Sequence, residues 1–377
     1  MRVSVVVTSY NVGRQLEQLL TCLTLGRLDP ADSLEVIVVD DGSTDTTRDV
    51  VARFDATLAP EYLFIPRTAR SGRVTARNAG IVAATGELVL LLDADQVTCP
   101  ELVAEHVRFH HYRDNLVVVG LRHDLGDGAH VLTALAEGHA PPPVVRRDGR
   151  EDVFAEFSEN LNNLETCWHH MFTCNVSIRR EHLLAVGGFD EDFRGWGLED
   201  CELGYRLRRA GLAFAYNRKA VAYQRHRHVT PGLFTEWRRN LAHFIDRHHG
   251  AAEVAVQAIV GRAFDPADRG IDWLESMRRL EFAARALAGR LPGPRAFTWI
   301  NVDDDNVSEV LAQLPRRASA ENLVVVDRTT SAALAGPIQC IDTDREVLYA
   351  YRPDAATLAG LRRGAGLDPG LSGHAAR

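Results

Sequence analysis

The chain has 377 residues, 46% hydrophobic and 25% charged, with a formal net charge of −8. That length allows one large domain or two, and the acidic balance argues against non-specific nucleic-acid binding as the main task. No apolar run approaches the roughly 18–20 residues needed to span a bilayer.

Residues 3–7 are a β-branched run that predicts a strand. Thr8-Ser9-Tyr10-Asn11 then offers turn and cap residues before a helix over 15–20. A second strand over 34–39 ends in Asp40-Asp41-Gly42-Ser43-Thr44-Asp45, and a helix is expected over 46–54. After a short strand at 62–65, Gly72 opens a helix carrying Arg73 and Arg77. Residues 88–92 are all apolar and predict a strand buried on both faces, ending in Asp93-Ala94-Asp95. Side chains alternate along a strand, so Asp93 and Asp95 point to the same side. Together they can hold a hard divalent cation and, through it, a diphosphate. This succession predicts a doubly wound, mostly parallel α/β sheet with its ligands outside the carboxyl ends of the strands.

A helix over 100–112 and a strand over 116–120 follow, then a Gly-, Pro- and charge-rich loop or insertion over 126–150. A strand over 172–178, a short helix stopped by Gly187-Gly188, a helix over 201–210 and a strand over 213–223 complete the first part. The strand leads into Gln224-Arg225-His226-Arg227-His228. From about residue 231 the texture changes to amphipathic helices (233–249, 252–262, 273–288) and three apolar strands (297–302, 322–327, 346–351). The expected organisation is a domain over 1–230 and a smaller α/β or helical module over 231–377, without internal repeats. Six scattered cysteines show no disulfide framework and read as reduced thiols of a cytosolic protein. No signal peptide is expected ahead of the first strand.

Two constellations carry chemistry. Thr8, Tyr10, Asp40 and Asp41 with Arg73 and Arg77 suit a nucleotide. A carboxylate accepts from a base N–H or a ribose hydroxyl, an aromatic ring stacks, and arginines counter a diphosphate. The plainer alternative is a turn, a cap and a solvated helix face. No G-x-G-x-x-G follows the first strand and no G-x-x-x-x-G-K-[ST] occurs, which weighs against a dehydrogenase or a P-loop enzyme. In Trp196-Gly197-Leu198-Glu199-Asp200, the glycines flanking Trp196 allow a tight bend. The indole offers a flat platform for a sugar ring, and adjacent carboxylates can orient a hydroxyl and take its proton. Negative charge favoured at a helix N-terminus explains the pair equally well. Cys167-Trp168-His169-His170 with Cys174 matches no common zinc spacing; the alternative reading places Trp168 or His169 in the lining of an acceptor pocket. Asp303-Asp304-Asp305 reads as a polar turn.

Residues 1 to about 230 resemble family 2 glycosyltransferases of the GT-A fold. The resemblance rests on Val5-Val6-Val7-Thr8-Ser9-Tyr10-Asn11, Val38-Val39-Asp40-Asp41-Gly42-Ser43-Thr44-Asp45, Ala76-Arg77-Asn78-Ala79-Gly80, Leu92-Asp93-Ala94-Asp95 and Gly187-Gly188-Phe189-Asp190 leading to Trp196-Gly197-Leu198-Glu199-Asp200. The last stretch also resembles the acceptor-side motif of β-1,4-galactosyltransferases and chondroitin-type polymerases. A Q-x-x-R-W motif of processive synthases is missing.

The resemblance implies a metal-dependent, inverting hexosyltransferase that moves a sugar from a nucleotide-diphosphate sugar, with UDP favoured, to an acceptor hydroxyl. The acceptor would be a glycan, a peptide or a small molecule. Thr8, Tyr10, Asp40, Asp41, Arg73, Arg77, Asp93, Ala94 and Asp95 would contact the donor, with Asp93 at the ribose and Asp95 on Mn²⁺ or Mg²⁺. Asp200 would be the general base and Glu199 would orient the acceptor beside Trp196 and Gly197. The family places a metal-binding histidine after the last strand, where this chain has Gln224. His226, or else His228, is the expected substitute; alternatively this basic loop closes over phosphates without touching metal. The rival functions are a non-catalytic sugar-nucleotide-binding scaffold and, lower, a nucleotidyltransferase. The latter needs a Gly-rich loop with Arg and Lys after the first strand, whereas this chain has one glycine there, Gly13, and no lysine. The expected setting is the cytoplasm, with peripheral membrane attachment and a homodimer both compatible.

Overall fold

The structure, a computed structural model, describes residues 1–126, 144–225, 232–264, 273–289, 296–343 and 345–364. Strands β1 (Arg2–Ser9), β2 (Ser33–Asp40), β3 (Glu61–Phe64) and β4 (Leu88–Asp93) lie in the order β3-β2-β1-β4, all parallel. The register sets Thr8 beside Asp93 and Ser9 beside Asp40, so their carboxyl ends finish along one edge. Alternation splits the apolar runs between two cores. Val3, Val5, Val7, Leu88, Leu90 and Leu92 face helices α1 (Gly13–Thr24), α2 (Thr47–Ala52) and, beyond α3 (Arg73–Ala83), α4 (Leu102–His110). Val6, Val39, Val89 and Leu91 face Val74 and Ile81 of α3 on the other side.

Beyond β4 the sheet becomes mixed. After the short β5 (Gln96–Thr98), β6 (Leu116–Leu125) and β7 (Val144–Arg146), the strand β8 (Asn175–Arg179) inserts antiparallel between β4 and β6. β9 (Ala213–Arg225) runs parallel to β6 and carries β5 antiparallel at its far end. Much of the expected loop over 126–150 lies outside the described residues. The centre of β8 is polar and buried. His106 Nδ1 meets Ser177 Oγ, and its Nε2 meets Asn175 Oδ1, both at 2.8 Å. Asn175 Nδ2 donates to the carbonyls of Leu121 and Ala220, both at 2.9 Å, where the β6–β9 register shifts beside Gly120. A Cβ on Gly120 would lie 2.5 Å from the Ala220 carbonyl oxygen, which explains the glycine.

This buried network has a pH signature. Burial, opposed by the bond to Asn175, holds His106 down at about 4, and burial does the same to His169 against Gln257. Between that value and the unfolded-state value near 6.5, the unfolded chain binds protons that the folded chain refuses. Stability is therefore full above about pH 6.5 and falls as acid is added, by up to about 1.4 kcal/mol per pH unit for each histidine. The urea midpoint is expected to drop steadily from pH 7 to pH 4.5, less steeply in His106→Gln. A flat midpoint across that range would show that the histidines are not held neutral.

The remaining helices divide by packing. α5 (Arg150–Glu156), α6 (Arg180–Ala185) and α7 (Glu199–Arg209) are followed by α8 (Leu233–Arg247), α9 (Ala252–Ala255), α10 (Ala258–Phe264) and α11 (Trp273–Leu287). Trp237, Leu241 and Phe244 of α8, with Val254, Val260, Met277 and Leu280, join the cluster that holds Trp168, Phe193 and the large sheet. The final strands β10 (Phe297–Val302), β11 (Asn322–Asp327) and β12 (Val347–Tyr351) form a separate parallel sheet in that order. Helices α12 (Val307–Ala320) and α13 (Ala335–Cys340) pack on one face and α14 (Ala355–Gly364) on the other, an α/β module with its own core. Gln339 fastens it to β9, accepting from the Tyr216 amide at 2.6 Å and donating to the Tyr216 carbonyl at 2.8 Å. Asp303-Asp304-Asp305 forms a turn that caps itself, with Asp303 Oδ1 accepting from the Asp305 and Asn306 amides. Among the described residues no helix is long and apolar enough to cross a membrane.

Candidate active site

The carboxyl ends of β1, β2 and β4 bring the first cluster together. Asp40 and Asp41 are both buried but differ in their partners. Asp40 Oδ1 accepts from the Ser43 amide and Oδ2 from the Tyr62 hydroxyl, both at 2.7 Å, so its oxygens hold the turn. Asp41 Oδ2 pairs with Arg67 at 2.6 Å, while its Oδ1 is buried with no hydrogen-bond partner in the structure. Burial raises the Asp41 carboxyl above its ordinary value, against the pull of Arg67. An acceptor atom in that condition is the place where a ligand N–H or hydroxyl restores a bond. Arg67 also lies 4.0 Å over the ring of Tyr10, which is 46% exposed at the rim. Thr8 is half-buried next to Asp93.

The second centre is Arg77 on α3, whose side chain is 5% exposed. Its guanidinium reaches Asp93 at 3.2 Å, Asp200 at 3.3 Å and Glu199 at 3.6 Å. Arg73, one turn earlier, stands 3.8 Å from Glu199. A planar fork with five donors suits this shared duty. Thr173 completes the hold on Asp200, donating its amide to Oδ2 at 3.1 Å and its hydroxyl to Oδ1 at 2.6 Å. Burial and the neighbouring Asp200 push the Glu199 carboxyl above its ordinary value, against Arg73 and Arg77. Glu199 is walled in, whereas Asp200 keeps 19% of its side chain open.

Asp93 and Asp95 stand on either side of the buried Ala94. The Asp93 amide is held by Gln96 Oε1 at 3.1 Å. Asp95 Oδ2 accepts from Gln224 Nε2 at 2.6 Å. Gln224 therefore sits against the carboxylate read as a metal ligand. Carboxylates backed by an amide are hard oxygen donors, a set that fits Mg²⁺ or Mn²⁺. His226 and His228 lie outside the described residues. Among the described residues a different trio, Asp190, Asp192 and His243, has ligand atoms within 4.8 Å of one another. His243 at 3.0 Å and Arg247 at 3.1 Å already share one Asp190 oxygen, so an imidazole and a guanidinium stand where an ion would. Cys167, His169, His170 and Cys174 do not form a ligand group, and Trp168 and His169 are core residues, not acceptor-facing ones.

The bend at Trp196 has the backbone that its glycines predict: φ is +72° at Gly195 and +103° at Gly197. Leu198 continues at +69°, a left-handed residue with a side chain, directly ahead of α7. Trp196 is half-buried, and a Cβ on Gly197 would lie 2.9 Å from Trp237 Cδ1. Glu199 and Asp200 open α7, where the helix dipole favours negative charge. The groups that sequence reasoning did not single out are Arg67, Tyr62, Thr173 and Gln96, along with the α8 side chains at this bend. None sits in a recognisable spacing.

The glycosyl transferase family 2 model matches residues 4–183, and the model for the N-terminal domain of galactosyltransferase matches residues 157–229. Residues 4–183 belong to glycosyl transferase family 2. The match covers β1 to β8 with Asp41, Arg77, Asp93 and Asp95, and the second match covers the Trp196–Asp200 stretch. The chain is 36% identical over 229 residues to a validoxylamine A glucosyltransferase of Streptomyces hygroscopicus subsp. limoneus, covering 58% of this chain and 50% of that relative. It is 29% identical over 238 residues to a chondroitin synthase of Escherichia coli, covering 58% of this chain and 34% of that one. The chain thus spans half the length, or less, of these two relatives. The GalNAc-T7 structure, which holds UDP, GalNAc and Mn²⁺, superposes with a TM-score of 0.51 at 15% identity over 78% of this chain and 59% of that one. That likeness shows the family's GT-A fold.

Proposed function

We propose that the chain transfers a hexose from a nucleotide-diphosphate sugar, with UDP as the expected carrier, to an acceptor hydroxyl, with metal assistance and inversion at the sugar. The observation that supports it most is Arg77, which ties donor-side Asp93 to acceptor-side Asp200 in one buried charge cluster. The unpaired Oδ1 of Asp41 takes the N–H of the base, and Tyr10 under Arg67 forms the platform beside it. Asp93 takes ribose hydroxyls. Asp95, with Gln224 against it, would hold Mn²⁺ or Mg²⁺, with His226 or His228 as the further ligand. A bound metal neutralises charge on the departing diphosphate.

Asp200 is the open carboxylate of its pair and accepts the proton of the acceptor hydroxyl. The hydroxyl oxygen bonds to the anomeric carbon as the bond from that carbon to the diphosphate oxygen breaks, and the nucleotide diphosphate leaves with the electron pair. Attack from the side opposite the diphosphate inverts the centre. Three carboxylates stand around Arg77, with Arg73 at the margin, and the Glu199 carboxyl is raised first by burial and then by the neighbouring Asp200. Taking up a proton there relieves repulsion. Glu199, locked between two arginines, orients the acceptor through the placement of Trp196 and Gly197. The name of the Streptomyces relative supports glucose as the first sugar to test on a small-molecule acceptor. Chondroitin synthase supports a glycan end as the alternative.

The test is a melting screen of the protein with UDP-, GDP- and TDP-sugars, first with Mn²⁺ and then with EDTA. At a ligand concentration about 100 times Kd, one sugar nucleotide should stabilise the fold by about 2.7 kcal/mol, and EDTA should remove most of that gain. No response to any sugar nucleotide would sink the donor-site reading and the sugar-nucleotide-binding scaffold with it, whereas stabilisation without transfer would favour the scaffold.

A further inference from the structure

We propose that Glu236 and Asn240 of α8 are positioning residues that set the conformation of the Trp196–Asp200 segment, and through it the placement of the base and of the acceptor platform. The proposal rests on the acceptor-and-base reading of that segment. Both residues lie beyond the matched stretches, which end at residue 229.

The segment needs outside support. Three of the four residues from Gly195 to Leu198 have positive φ, and Leu198 pays for it with a Cβ in a left-handed backbone. Such a run makes no regular hydrogen bonds of its own, so its polar groups need partners from elsewhere. α8 supplies them. Glu236 Oε2 accepts from the Trp196 amide at 2.8 Å. Asn240 Nδ2 donates to the carbonyls of Gly197 at 2.8 Å and Trp196 at 3.3 Å, and its Oδ1 accepts from the Arg194 amide at 3.4 Å. Asn240 is 2% exposed, so these bonds are shielded from water.

The contact is also steric. A Cβ on Gly195 would come within 2.6 Å of the Glu236 carboxylate, so the backbone passes directly against it. Spacing on α8 explains the division of labour. Trp237, Leu241 and Phe244 turn into the core, while Glu236 and Asn240, one turn apart, face the bend. The bend runs straight into Glu199 and Asp200, the first residues of α7. Any shift of its backbone therefore moves both carboxylates relative to Arg77 and moves Trp196 with them.

The experiment compares the full chain with Glu236→Ala, Glu236→Gln and Asn240→Ala. It uses hydrogen exchange by mass spectrometry, calorimetric titration with UDP, and turnover of whichever sugar nucleotide the melting screen selects. Both alanine variants should exchange faster over residues 194–201, by about 10-fold, with the β1–β4 peptides unchanged. UDP affinity should stay within about 2-fold, since its contacts are elsewhere, while kcat falls roughly 10- to 100-fold at little-changed donor KM. Glu236→Gln keeps an acceptor oxygen in place and should restore both exchange and turnover. Wild-type exchange over 194–201 in both alanine variants overturns the proposal, as does an equal loss of UDP affinity, which would mean general damage. Faster exchange with unchanged turnover would leave the clamp standing and overturn the acceptor-and-base reading instead. If Asn240→Ala does not fold, the half-exposed Glu236 decides alone.

Discussion

Arg77→Met is expected to lower the melting temperature by roughly 5–15 °C and to abolish activity. The side chain is 5% exposed and stands within 3.6 Å of Asp93, Glu199 and Asp200. Methionine fills similar space but leaves three carboxylates facing one another without their counter-charge. Removing one partner of a buried ionic group costs about 3–5 kcal/mol, chiefly because the remaining charge stays buried. The loss should depend on pH in a defined direction. Without Arg77 the Glu199 carboxyl, already raised by burial and by Asp200, rises further. A carboxyl raised in the folded state favours folding at low pH and opposes it as pH climbs through its folded value. The gap between variant and wild type should therefore narrow from pH 7.5 to pH 5. Thermal melts of both proteins across that range check this. An unchanged gap would mean that the carboxylates are solvated and Arg77 is not their common partner. Arg77→Lys should recover little, since an ammonium cannot fork between three groups.

Asp200→Asn should reduce transfer by roughly 10²–10⁴-fold, the usual worth of a general base, while leaving UDP affinity nearly unchanged. The substitution keeps size and one acceptor oxygen. Arg77 and Thr173 donate three hydrogen bonds to the Asp200 carboxylate, and asparagine can satisfy only some of them. A stability loss of about 1 kcal/mol is therefore expected as well. Parallel measurement of kcat, UDP binding and melting temperature separates the three effects. If the variant kept transfer within a few-fold of wild type, Asp200 would not be the base, and the walled-in Glu199 would be an unsuitable replacement.

The sequence made the carboxyl-end geometry legible for a simple reason. Five apolar residues ending in Asp93 state a buried strand with a carboxylate at its carboxyl end, but β4 stops at Asp93 and Asp95 lies in the turn beyond it, where strand alternation no longer sets its side. The sorting of Asp40 from Asp41 was not legible, because it depends on Tyr62 and Arg67, side chains on other segments. The link from Arg77 to Asp200 spans 123 positions, a distance that no local periodicity encodes. β8 hid its antiparallel place because Asn175 and Ser177 break the apolar pattern, and their satisfaction comes from α4 and from a bulge. The small C-terminal sheet was visible in its strands. α12 was obscured by Pro315 inside it. Glu236 and Asn240 look like ordinary helix residues until the bend they hold is seen.

The packing of α8 to α11 has a practical consequence for anyone who would recombine this chain. The matched stretches stop at residue 229, which invites a cut there when acceptor specificity is to be exchanged with a relative. Such a cut would separate Trp168 and Phe193 from Trp237, Leu241 and Phe244, which share one apolar cluster with them. A fragment or chimera divided at that point would present a bare aromatic face and would be prone to aggregate. The exchangeable unit runs through α11, and the natural seam for grafting is the stretch between Leu287 and Phe297, ahead of the separately cored sheet.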